Sequence, residues 1–182
     1  MAGYLRLDTS EYDAQLAVLR RPWAPIVRAI NRSMGSAQTT AVRAITADLG
    51  LKRAAVVPHV KLRKATPAVL SATLYASAKR VPLVQFHATG PEPSRGKGQG
   101  VSARIGGKRT RYQGAFIATM PSGHRGVYRR QVGQARLPIR ELRGPSIWRS
   151  FQTAQPQAAA RANEQLATNL AHEIAFALSR GR

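Results

Sequence analysis

The fold class is decided by residues 101–120, which read VSARIGGKRTRYQGAFIATM. Val101 to Ile105 is a short run of strand character, and Gly106-Gly107 follows it as a tight hairpin turn. The pattern predicts a second strand over Lys108–Gln113, and then a short apolar run at Ala115–Met120. This part of the chain is therefore predicted to form antiparallel β-structure.

Similar runs lie on both sides of this stretch. Leu70 to Ala76 alternates apolar and polar residues, which indicates a half-buried strand. Three further runs are predicted as strands: Val81–Ala88, Val127–Val132 after the turn at Pro121-Ser122-Gly123, and Leu137–Leu142. Gly90–Gly100 contains no apolar residue and is predicted to be a flexible loop. Strands joined by short turns favour an antiparallel sandwich or a small barrel.

The two ends of the chain have helical periodicity. Apolar residues recur every three or four positions from Pro25 to Leu49, and again from Gln157 to Ser179. Two shorter helical segments are also predicted: Thr9 or Ser10 through Leu19, and Lys52 through about His59. Each long helix carries one apolar stripe, which must pack on the chain's own sheet or on another subunit.

These patterns together predict an α+β fold, in which a small antiparallel β-sandwich or barrel is flanked by a long N-terminal helix and a C-terminal helix. We expect three segments that form one structural unit. They are an N-terminal helical segment at 1–59, a basic antiparallel β-domain at 60–142 with a flexible loop at 90–100, and a C-terminal helical segment at 143–182.

The charge balance departs most from that of an average protein. The 182 residues include 29 Lys and Arg but only 8 Asp and Glu, a formal net charge of +21. Between Leu51 and Arg140 there are 18 basic residues, and Glu92 is the one acid. Such an excess favours a polyanionic partner, with nucleic acid as the first candidate and an anionic membrane surface as the second. Since no run of 18 apolar residues exists and acids occupy the N-terminal region, we expect neither a membrane span nor a signal peptide.

The sequence offers little for catalysis or for cofactor and metal binding. It has no cysteine, which excludes disulfides and thiolate chemistry, and its four histidines are widely separated. Gly96-Lys97 resembles part of a phosphate-binding loop, but Gly98 stands where Ser or Thr is required. A nuclease or glycosidase needs clustered carboxylates, which the basic middle lacks. We therefore predict no enzymatic activity, no catalytic residues, no cofactor and no metal.

The candidate functional residues are basic. They fall into two groups, Lys61, Arg63 and Lys64, and then Arg104, Lys108, Arg109 and Arg111 beside the predicted turn. An ordinary solvated surface explains any one of these residues. It does not explain the whole excess of positive charge, which few acidic residues balance. Aromatic residues are sparse in this region, which favours contact with the duplex phosphate backbone over stacking on single strands. No base-reading motif is visible, so contact with DNA is expected to be independent of sequence.

Five segments of the chain resemble the phage minor tail protein Z family, the tail completion proteins of long-tailed bacteriophages and related prophages. They are Arg28–Ser33, Lys61–Thr66, Arg80–Phe86, Gly114–Val127 and Arg136–Ser146. The resemblance extends over roughly Pro25 to Leu178. The loop at 90–100 and the first 20 residues are the parts that it does not cover.

The resemblance implies a structural virion protein at the head-proximal end of the tail, assembled in the cytoplasm of the bacterial host. It implies contacts with the tail terminator, the tail tube and the head-tail connector, and no membrane partner. A hexameric ring with genomic double-stranded DNA in its lumen would match a six-fold tail. The alternative is a double-stranded nucleic-acid-binding protein that acts outside a virion, and a nuclease is a third and weaker possibility.

Overall fold

A computed structural model of the chain describes residues 23–92, 100–130 and 138–180. The short helix predicted through Leu19 lies outside these residues. So do most of the loop predicted at 90–100, the end of the strand predicted at Val127–Val132, and Leu137.

The described residues form long helices at the two ends and short strands between them. In chain order the elements are α1 (Trp23–Leu49), α2 (Arg53–Val56), a 3-10 turn (Val57–His59), β1 (Val60–Arg63), β2 (Thr73–Ala76), β3 (Arg80–Pro82), a 3-10 turn (Leu83–Gln85), β4 (Val101–Ile105), β5 (Lys108–Tyr112), β6 (Ala115–Thr119), β7 (Arg125–Arg130), β8 (Ile139–Glu141), β9 (Arg143–Ser146) and α3 (Trp148–Arg180). The predicted α+β class is confirmed.

The strands form four small sheets, and no closed barrel occurs among the described strands. The pairs β1–β2, β3–β9 and β4–β5 are two-stranded, and β6, β7 and β8 form a three-stranded sheet. All of these pairings are antiparallel. The hairpin predicted at Gly106-Gly107 is confirmed, since these two glycines join β4 to β5 with φ angles of 54° and 81°.

The strands differ from the prediction in four places. The run Val81–Ala88 contains only the end of β3 and the 3-10 turn after it, and Pro82, which has no N–H for a ladder, is the last residue of β3. The strand predicted from Leu70 begins at Thr73. The sequence patterns also miss β1 and β9. The segment of β9 contains Pro145, a residue that argues against a strand, and β9 lies at the edge of its two-stranded sheet, where proline is tolerated.

The long N-terminal helix is confirmed, whereas the C-terminal helix begins nine residues earlier than the predicted Gln157. Pro156 lies inside α3, although a proline there removes a hydrogen bond and normally marks a boundary. The residues that extend the helix are held by packing, since Phe151 and Ala154 are both buried. Burial of this apolar surface therefore outweighs the local preference of proline.

Both apolar stripes are buried within the chain. The buried positions include Ile26, Ile30, Met34, Ala37, Ala41, Ile45 and Leu49 on α1, and Ala158, Ala162, Leu166, Leu170 and Ile174 on α3. Of the two possibilities left open by the sequence, these positions fit packing within the protomer, and they are not available for contact with another subunit.

The chain divides into two compact units. The first, called here the helical unit, comprises residues 1–44, 60–77 and 151–182, and the second, called the β unit, comprises residues 45–59 and 78–150. The three-segment division made from composition stays a prediction.

Polar contacts fix how α1 and α3 pair inside the helical unit. Arg28 Nε donates to Glu173 Oε2 at 2.5 Å, and the Asn169 amide donates to Ser33 Oγ at 2.9 Å. Residue numbers rise on one helix as they fall on the other, so the two helices are antiparallel. Asn31 connects α1 to the segment that follows β1. Its side-chain oxygen accepts from the N–H of Ala65, and its side-chain amide donates to the C=O of the same residue. Buried hydrogen bonds of this kind specify a register that apolar contacts alone leave open.

No helix within the described ranges is both long enough and apolar enough to cross a lipid bilayer.

Candidate phosphate-binding surfaces

Three of the predicted basic residues lie on one face of the β4–β5 hairpin. Arg104 is directly opposite Arg109, and Arg111 is opposite Ser102, so the alternation of side chains places all three arginines together. All three are exposed. No carboxylate of the described residues lies within ion-pair distance of Arg104 or Arg109. Like charges directly opposite each other destabilise a sheet, so an anion bound at this arginine face (Arg104, Arg109 and Arg111) would offset the repulsion between Arg104 and Arg109.

The fourth residue of this group is placed differently. Lys108 is opposite Ile105, one position out of step with Arg104, and therefore projects from the other face of the hairpin. Lys108 is exposed. The structure thus brings three of the four cations together and separates the fourth from them.

An open hollow of about 660 Å³ adjoins the arginine face. Arg104 and Arg109 line it together with Ala47, Gly50, His87, Thr89 and Gly107. Arg109 Nη2 donates to Thr89 Oγ1 at 3.0 Å, and Arg104 Nε donates to the carbonyl of Gly107 at 3.3 Å. Each guanidinium uses one of its nitrogens in these bonds. Other N–H groups of both arginines are left to donate to a bound acceptor. The hollow has the donors and the charge that a phosphate group requires.

The other predicted group lies in the helical unit. On β1, Lys61 is opposite Tyr75 and Arg63 is opposite Thr73, so the two cations share one face of the strand pair. Both are exposed, and so is Lys64, which follows the strand. This group belongs to a different compact unit from the arginine face.

The β unit contains a second basic site that the sequence patterns do not predict. It is an arginine cleft of about 490 Å³ lined by Arg80, Arg129, Arg130, Arg140, Glu141, Leu142 and Arg143. Arg129 on β7 is directly opposite Arg140 on β8, which repeats the like-charge pairing of the hairpin. The sequence shows that arginines are frequent in these segments. It does not show the strand register that brings these arginines together.

Glu141 is the one acid among the described residues that line the arginine cleft, and two side chains contact it. Its Oε1 lies 2.7 Å from Nε2 of His124, and its Oε2 accepts from Nη2 of Arg143 at 3.1 Å. Burial on its own raises the pKa of the Glu141 carboxyl, but the hydrogen bonds and charges of His124 and Arg143 outweigh it, so this pKa lies below its ordinary value of 4.5. Glu141 is therefore an ionised group that orients Arg143 at the cleft wall.

The lowered pKa of Glu141 predicts how stability depends on pH. Because the folded state favours the ionised carboxylate, Glu141 contributes stability above its ordinary pKa and loses that contribution as the pH falls through the folded value. We expect the unfolding free energy of the wild-type chain to fall more steeply than that of E141Q between about pH 5 and pH 3. Urea unfolding at several pH values measures both slopes.

The matched control for this experiment is E164Q. Glu164 also pairs with an arginine, at 2.7 Å from Arg161, but 65% of its side chain is exposed to solvent. Because solvent screens such a pair, this substitution is expected to leave the acid slope close to that of the wild type. Equal slopes for wild type and E141Q would contradict the prediction.

Within residues 23–92, 100–130 and 138–180, no three His, Asp or Glu side chains group in a way that could hold a metal ion.

The sequence model described as prophage minor tail protein Z matches residues 15–180, nearly the whole chain. A search of curated proteins and a search of solved structures each returned no significant match.

Proposed function

The chain belongs to the prophage minor tail protein Z family, and on that premise we propose that it is a tail completion protein at the head-proximal end of the tail. Proteins of this family are structural components of a phage tail. A completed tail end must present a surface to which a filled head can attach. We propose that this chain supplies that surface and has no catalytic role.

The second part of the proposal is a ring of subunits, six in a six-fold tail, with the genomic duplex passing through its lumen. The arginine face is the observation that supports the proposed contact with the duplex. Arg104 and Arg109 are exposed, directly opposed and not paired with any carboxylate among the described residues. A surface of this kind neutralises phosphates without reading bases, which suits DNA of any sequence that moves past it.

The helical unit is the proposed contact with other subunits and with neighbouring tail proteins. Several large apolar side chains of the described residues are exposed on it, among them Val69 at 53%, Leu70 at 42% and Tyr75 at 38%. Apolar side chains in exposed positions are the usual anchors of a protein interface. The tail terminator, the tail tube and the head-tail connector are the partners proposed for this unit.

The competing function is sequence-independent binding of double-stranded nucleic acid outside a virion. The net charge of +21 favours it as strongly as it favours a DNA-lined ring. The two functions differ in whether the chain becomes part of the particle, and this difference is measurable.

Deleting the gene from an inducible prophage tests the proposal directly. We expect filled heads and tails that accumulate separately, and a wild-type copy supplied in trans should restore joined particles. Electron cryo-microscopy of restored particles should place the chain as a ring between tail and head. Joined particles in the deletion strain, or particles that lack the chain, would rule out tail completion and leave the competing function.

A further inference from the structure

We propose that the arginine cleft binds the phosphodiester backbone of nucleic acid, with Arg129 and Arg140 as the pair that engages the phosphate oxygens. The inference rests on the proposed function, since it names a second surface by which the same unit contacts DNA. Sequence patterns alone do not point to Arg129 or Arg140.

Electrostatic repulsion between opposed arginines favours a bound anion in the cleft. The Cβ atoms of directly opposed residues such as Arg129 and Arg140 lie about 5 Å apart, so their two positive charges repel each other. Neither arginine, nor Arg80 beside them, forms a side-chain hydrogen bond or an ion pair with the residues that the structure describes. An anion placed between the two guanidinium groups converts this repulsion into two attractions.

Other charged side chains of the cleft have partners within the chain. Arg143 is neutralised by Glu141, and Arg130 lies over the ring of Phe116, with 5.6 Å from its Cζ to the ring centroid. Glu141 in turn has His124 and Arg143 as partners, so its negative charge is compensated. The cleft therefore keeps three arginines, Arg80, Arg129 and Arg140, for an external anion.

The lining of the cleft favours phosphate over an acidic protein as its ligand. Every cation among the described lining residues is arginine, whose planar fork matches two oxygens of one phosphate or carboxylate group, so the apolar residues make the difference. A protein partner needs apolar anchors and pockets for them, and Leu142 is the one apolar side chain among the lining residues that the structure describes. A phosphodiester backbone can bind without apolar anchors.

The test measures the affinity of the purified full-length chain for a labelled duplex of random sequence over a range of salt concentrations. Each phosphate contact adds about 0.9 to the slope of log K against log salt. We expect R129A/R140A to lower that slope by about 1.8 and to weaken binding about 60-fold at about 0.1 M salt. R129K/R140K keeps the charge but loses the fork, so it should keep the slope and still bind more weakly than the wild type.

The matched control is R43A/R53A, which removes two exposed arginines that do not line the cleft. It should keep the wild-type slope. Equal losses in R129A/R140A and the control would mean diffuse attraction and would overturn the inference. The inference would also be overturned if R129A/R140A bound the duplex like the wild type but lost affinity for polyglutamate. That result would mean that the cleft binds an acidic protein. Circular dichroism shows whether each variant is folded.

Failure of the assignment of the cleft and failure of the proposed contact with DNA give different results in this experiment. If the wild-type chain binds the duplex and R129A/R140A binds it with an unchanged slope, only the assignment of the cleft is wrong. If the wild-type chain does not bind the duplex at all, the proposed contact with DNA in the lumen fails together with it. Competition with inorganic phosphate distinguishes a site for a nucleic-acid polymer from a site for the free ion. Inorganic phosphate is added while the ionic strength is held constant. It should displace the duplex only if the cleft is a site for the free ion.

Discussion

Replacing Arg104, Arg109 and Arg111 together with glutamate is expected to weaken duplex binding at least about 500-fold at about 0.1 M salt, because three phosphate contacts lower the salt slope by about 2.7. The three side chains are exposed on one face of a hairpin whose apolar residues, among them Val101 and Ala103, lie on the other side. The fold is therefore expected to survive the change. In the phage, particles that carry this variant should assemble but deliver little DNA.

Lys108 provides the matched control, since it is exposed on the same hairpin but on its other face. K108E changes the charge by the same amount per residue and is expected to weaken binding far less than the triple variant. The competing account is that the arginine face docks on acidic surfaces of neighbouring tail proteins. In that case the triple variant fails to enter the particle at all. Particles that incorporate the variant and deliver DNA normally would exclude the face from both roles.

Local patterns were sufficient to predict this hairpin. Gly106-Gly107 specifies a turn that pairs Ile105 with Lys108, and each further pair follows from that register. The same register decides that Arg104, Arg109 and Arg111 share a face and that Lys108 does not. The sequence therefore contained enough to divide the predicted group of four. The division follows from counting alternate positions outward from the turn.

The arginine cleft was not accessible to the same reasoning. Arg129 and Arg140 are eleven positions apart, and no two-residue turn connects β7 to β8 to fix their register. A shift of one residue would send either side chain to the opposite face. The contribution of Arg80 depends in addition on β3, which pairs with β9 from much later in the chain. Pairings between distant segments are set by the whole fold and not by a local motif.

The helices show the same limit in a different form. Apolar spacing predicted α1 closely because its stripe is continuous from Ile26 to Leu49. It failed at the start of α3, where Pro156 locally opposes a helix while Phe151 and Ala154 are buried and favour it. Proline inside a helix costs about 3 kcal/mol, and the combined burial of Phe151, Ala154 and the other buried residues of α3 offsets that cost. The outcome depended on what the helix packs against, which the local sequence does not state.

Replacing Gly144 with alanine is expected to destabilise the β unit by about 1–3 kcal/mol, the usual cost of overpacking a core. Gly144 lies on β9, where a Cβ would press against the ring of Phe86, with Cδ2 and Cζ each only 3.0 Å away and Cε2 closer still. Phe86 is 0% exposed, so the ring has no solvent-filled space into which it can move. Denaturant unfolding at neutral pH measures the loss.

Two further variants show whether the ring is the cause. G35A places the same methyl group in the interior of α1, where nothing lies within 4 Å of it, and should stabilise the chain by about 0.5–1 kcal/mol through the better helix propensity of alanine. F86L removes part of the ring and should cost roughly 1 kcal/mol alone. If Gly144 exists to admit the ring, G144A should cost much less in the F86L background than in the wild type, a coupling of about 0.5–3 kcal/mol. Additive losses would mean that the methyl group acts on the backbone of β9 and not on Phe86.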